Sequence, residues 1–166
     1  MRAMMIVLVL LLVSGCAAVD VFDMPSSNHQ ITTDTLEGVI FTADNTEKAG
    51  IGYEFNDPIM GYWTPTEIQV MALESSLVPY LKETIGSDGY GAGLWDKLSG
   101  YRRQYFGVTF ANGQPLIYAN YFCTSDYFDN WLDSHVIVMD GGECFFHVLY
   151  DPAKDTFSNL SINGMA

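Results

Sequence analysis

The run His135–Asp151, HVIVMDGGECFFHVLYD, constrains the fold more than any other stretch. It is the longest span of strand-forming residues in the chain, and turn signals flank it on both sides. It also carries two of the three histidines and one of the three cysteines. Its pattern predicts one long central strand of an antiparallel sheet. Gly141-Gly142 is read as a bulge that bends the strand, in preference to the two-residue loop of a tight hairpin.

The neighbouring segments extend this sheet. Tyr101–Ala111 is aromatic and β-branched, Asn112-Gly113 is a strong hairpin signal, and Leu116–Cys123 returns. An acidic, aromatic loop covers Thr124–Ser134, and Thr156–Asn163 forms a last strand after the Asp151-Pro152 turn. Upstream, Thr64, Pro65 and Glu67 spell a helix start with a capping box, and Trp63 is placed to staple onto Ile68. Val70, Leu73, Leu77 and Leu81 follow as an apolar stripe at helical spacing. Pro79 predicts a kink or break near Val78. Gly86–Gly100 reads as a flexible connector anchored at Leu94-Trp95. Its glycines follow a helix rather than open one, so it lacks the pattern of a phosphate-binding loop. Val39–Ala43 and Ile51–Phe55 suggest a small N-terminal hairpin.

The expected fold is therefore α+β: one main amphipathic helix on a curved antiparallel sheet of about four long strands. That order of elements resembles the cystatin-like and NTF2-like folds. The segments WTPT, YRRQY-x-G, DGG-x-x-FF and the closing NG-x-A resemble small bacterial envelope proteins of unassigned function.

Residues 1–15 read as a signal peptide. Arg2 precedes the apolar run Met4–Val13, which is about half of the ~20 residues a helix needs to span a bilayer. Val13-Ser14-Gly15-Cys16 resembles the lipobox of bacterial lipoproteins. The resemblance implies cleavage before Cys16 and lipidation of its sulfur, with the membrane as the partner of the N-terminus. Ala17 favours the outer membrane, facing the periplasm. Residues 16–35 are then a tether, in which His29 is solvated, and 36–166 form a single domain.

The formal charge of −13, which becomes −14 once Arg2 is removed, opposes nucleic acid as a partner. With Cys16 lipidated, an oxidising compartment permits a disulfide between Cys123 and Cys144, and two separate thiols remain equally open. No cofactor or metal site is expected. Asp126, Asp129, Asp133 and Asp140 do not match the spacing of a calcium loop.

Alternation puts Arg103 with Tyr101 and Tyr105 on one face, and Arg102 with Gln104 and Phe106 on the other. It puts His147 with Phe145 and Leu149. Arg102, Arg103 and His147 are the candidate ligand-binding residues, and His135, at a strand start, is expected to be exposed. No nucleophile motif stands out, so no catalytic residue is named. Twenty Tyr and Phe residues, spread over both faces of the strands, leave one face for something other than the helix. The function expected is a non-catalytic binding module anchored in the envelope. The alternatives are a small envelope enzyme using a sheet-face pocket, or a purely structural lipoprotein.

Overall fold

The computed structural model describes residues 27–123 and 128–165. The signal sequence, Cys16, most of the tether and Asp126 lie outside the described residues.

Seven strands form one sheet: β1 (His29–Thr32), β2 (Glu37–Ile40), β3 (Ile59–Trp63), β4 (Arg102–Phe110), β5 (Pro115–Phe122), β6 (Phe145–Asp151) and β7 (Thr156–Ile162). Their order is β1-β2-β4-β5-β6-β7, with β3 off this path and paired to β4. One edge of β4 is shared. Glu37–Ile40 run parallel to Arg102–Tyr105, while β3 lies antiparallel along Gly107–Phe110. Gly107 makes room for this second partner, because a Cβ there would come within 2.2 Å of the Trp63 carbonyl oxygen.

The expectation of about four antiparallel strands in cystatin-like or NTF2-like order is thereby overturned. The sheet has seven strands and a parallel pair. Parallel pairing needs a long crossover and has no local sequence signal. The N-terminal hairpin is also reassigned. It joins β1 to β2, so strand β1 falls inside the span read as tether. Ala43–Lys48 is a short helix, α1, and Ile51–Glu54 is a 3₁₀ turn opened by Gly50 in the left-handed region.

The long run His135–Asp151 is a strand only from Phe145. Gly141 and Gly142, at φ of 88° and 61°, are neither a bulge nor a hairpin loop. They lead into a 3₁₀ turn, Gly142–Cys144.

Helix α2 (Glu67–Ile85) starts later than its sequence suggests. Thr66 is the N-cap and Gln69 completes the box. Thr64 instead accepts the N–H of Ala43 at the start of α1. The expected staple fails because Ile68 is 83% exposed, and Trp63 donates its indole N–H to the Val108 carbonyl. Pro79 does not end the helix. Pro79 and Ser75 are both exposed, so the Ser75 carbonyl that lacks a donor faces water. The connector is more ordered than expected: Leu94–Gly100 is 3₁₀, with Leu94 and Leu98 buried.

Both faces of the sheet are covered. Val70, Leu73, Leu77 and Leu81 of α2 pack on Tyr105, Tyr121, Phe146, Val148 and Tyr150. Burial of each such aliphatic side chain contributes roughly 2 kcal/mol. On the other face Phe41, Ile51, Trp131 and Val136 cover Phe106, Val108, Tyr118 and Leu149. The aromatic residues on the second face are met by the chain itself.

Candidate functional site

The second face carries a polar row. Strand register sets Gln104 beside Asn120 and Asn120 beside His147, across β4, β5 and β6. Two members of the row hold the covering segment 131–136. Gln104 donates its amide to the carbonyls of Trp131 and Ser134, at 2.6 and 2.8 Å. Its carbonyl oxygen accepts from Val136 N and from Asn120. Asn120 also donates to the Val136 carbonyl at 2.8 Å. Further along, Asn163 donates to the carbonyls of Val138 and Asp140. The segment thus forms a roof without pairing as a strand.

Beneath the roof is a hollow of about 170 Å³, lined by Glu54, Tyr118, Asn120, Phe145, His147 and Asn163 among others. Glu54 arrives from the 3₁₀ turn after α1. His147 lies 5.2 Å from the Tyr118 ring. His135 also stands by Tyr118, at 5.7 Å, and packs edge-on against Phe106. Nδ1 of His135 is 3.4 Å from the Tyr53 hydroxyl, while its Nε2 is buried without a partner. His135 is thus a packed, mostly covered residue and not an exposed one.

Burial controls the charge states. It pushes His135 down to about 4, helped by His147, and lowers His147 as well. Both rings are neutral at pH 7. Burial raises the Glu54 carboxyl. Burial, and then the charges of Glu54 and Tyr53, raise the Tyr118 hydroxyl well above its usual value. Among the described residues, neither the Glu54 carboxylate nor the His147 ring enters a hydrogen bond or ion pair. No Lys or Arg lines the hollow.

The three residues singled out from the sequence are not brought together. Only His147 lines the hollow. Arg103 lies under α2 on the opposite face, bonded to Glu74 and to the carbonyls of Leu98 and Tyr101. Arg102 pairs with Glu37 at 3.1 Å and lies 5.0 Å over Trp131. Both arginines hold elements together. Cys123 and Cys144 form a disulfide, with Cα atoms 5.0 Å apart. Among the described residues no group of three His, Cys, Asp or Glu side chains could hold a metal, and no helix is long and apolar enough to cross a membrane.

Sequence reasoning missed Glu54, Tyr118 and His135. One signal was present: Gln104 and Asn120 interrupt apolar strands at positions that pair across the hairpin. No protein family, curated protein or solved structure matches the chain.

Proposed function

We propose that this protein is a lipid-anchored component of the cell envelope that binds a small amine-bearing molecule in the hollow beside His147, without turning it over. The anchor rests on the Val13–Cys16 pattern, and Ala17 after the cysteine favours outer-membrane attachment facing the periplasm.

The ligand reading rests on one observation. Glu54 and His147 converge on a hollow with aromatic walls, and both are free of the bonds that hold the fold. The hollow is rich in acceptors. Glu54 presents a carboxylate, and the side-chain carbonyls of Asn120 and Asn163 receive no donor among the described residues. A ligand that satisfies these groups must bring donors, and a cation is also favoured by the faces of Tyr118 and Phe145. The chain's formal charge of −13 steers cations toward it.

Calorimetric titration with methylammonium and ethanolamine, against acetate and glycerol, tests this. The ammonium compounds should bind and the others should not. Glu54→Gln should weaken binding about tenfold or more. Equal binding by Glu54→Gln, or none by any ammonium compound, would overturn the reading.

A second reading is general acid–base catalysis by the same residues. Burial raises Glu54, which favours a carboxyl that can donate, and lowers His147, which keeps its ring neutral and able to accept. It requires turnover of a bound amine derivative that is lost in both Glu54→Gln and His147→Ala.

A further inference from the structure

A depression of about 680 Å³ that shares no lining residue with the His147 hollow holds the disulfide. Cys123 and Cys144 line it, with Tyr101, Gly100, Gly142 and Met165 around them. Cys123 is exposed and Cys144 half-buried, so Cys123 is the more accessible of the two. Gly100 leaves open space where a side chain would stand, since nothing lies within 4 Å of a Cβ built there. Lys97 brings an ammonium to the rim, where it pairs with Glu143, the neighbour of Cys144.

The surrounding structure would survive opening of this bond. Phe122 and Phe145 are paired across β5 and β6, and Cys123 N donates to the Cys144 carbonyl at 3.0 Å. These backbone contacts keep β5 and β6 paired whatever the state of the sulfurs. The bridge nonetheless has a mechanical role. Cys123 and Cys144 bracket the whole roof, and Cys144 ends the turn that leaves it. Gly141 and Gly142 carry that turn in left-handed conformations.

We infer that the Cys123–Cys144 disulfide is an exchange site for a dithiol oxidoreductase of the Cys-x-x-Cys class, docking in this depression. Opening the disulfide loosens the roof over the His147 hollow. The partner's thiolate attacks Sγ of Cys123, and Cys144 leaves as a thiolate and takes a proton from water. The partner's second thiol, having lost its proton, attacks its own sulfur in the mixed disulfide, and Cys123 departs and is protonated in turn. Two electrons and two protons pass from the partner, which ends as a disulfide. The effect on ligand binding rests on the function proposed above, but the exchange and the loosening do not.

The test uses a Cys-x-x-Cys oxidoreductase whose second cysteine is replaced by serine, mixed with the folded, oxidised protein. A mixed disulfide at Cys123, mapped by mass spectrometry, is expected. Hydrogen exchange after native reduction with dithiothreitol should rise severalfold at residues 131–138, while β4 and β5 stay protected. These readouts need no ligand, so failure of the ammonium titration leaves them intact. A bond that reduces only in denaturant, trapping at Cys144 alone, or unchanged exchange at 131–138 would each overturn the inference. Cys123→Ser/Cys144→Ser should reproduce the reduced pattern, and wild-type reduction decides the matter if that variant does not fold.

Discussion

The carboxylate of Glu74 meets the guanidinium of Arg103 at 3.1 Å beneath α2, with the two side chains 12% and 3% exposed. The other Glu74 oxygen accepts both the Tyr105 and Tyr121 hydroxyls, at 2.8 and 2.7 Å. A buried ion pair is costly to form but more costly to halve, because the remaining charge has no partner and no water. Glu74→Ala should therefore destabilise the fold by about 3–5 kcal/mol, read as a lower urea midpoint. Glu74→Leu with Arg103→Met should recover only part of that loss, because the Tyr105 and Tyr121 hydroxyls and the Leu98 and Tyr101 carbonyls are left without these partners.

Gln104 makes four hydrogen bonds and is fully buried. Gln104→Ala leaves the Trp131 and Ser134 carbonyls and the Val136 N–H without partners. The expected cost is about 3 kcal/mol. Hydrogen exchange should rise first at residues 131–136, ahead of the strands, because the roof loses its main fastening.

Acid should weaken the fold through His135. In the unfolded chain its ring protonates near 6.5, but in the folded protein only near 4. Between these values the unfolded chain holds more protons, so stability is full above pH 6.5, declines as pH falls toward 4, and levels off below. The loss is about 3 kcal/mol. His147, also lowered by burial, acts in the same direction, and Glu54, which burial raises, acts against it. Urea unfolding across this range should show the decline, and His135→Gln should flatten it.

Thr66 and Thr64 should separate cleanly. Thr66→Ala removes the α2 cap and should cost about 1 kcal/mol. Thr64→Ala should leave the start of α2 unchanged and raise hydrogen exchange at Ala43, whose N–H it accepts.

What the sequence revealed was local. Asn112-Gly113 marked the turn between β4 and β5, the Val70–Leu81 stripe marked the buried face of α2, and alternation placed Arg103 opposite Arg102 and His147 opposite Phe146. The roof deceived because it alternates for a different reason. Val136 and Val138 pack down on the sheet, but the Val136 N–H and carbonyl are satisfied by Gln104 and Asn120 side chains, where a strand would use a neighbour's backbone. The segment therefore has the residues of a strand without the pairing. Pairing of β2 with β4 had no trace in the sequence, since Glu37 and Arg102 are joined through the entire helical region. The hollow was hidden likewise: Glu54, Tyr118, His135 and His147 come from four separate segments.

The divided edge of β4 also sets a timetable for biogenesis. Strands β1 and β2 make a lone hairpin until Arg102–Tyr105 exists to receive them, and an isolated hairpin is marginal in water. β3 waits for the same strand. As the chain emerges from the ribosome, residues 27–100 contain no finished layer, so they must be kept from sticking until the later part arrives.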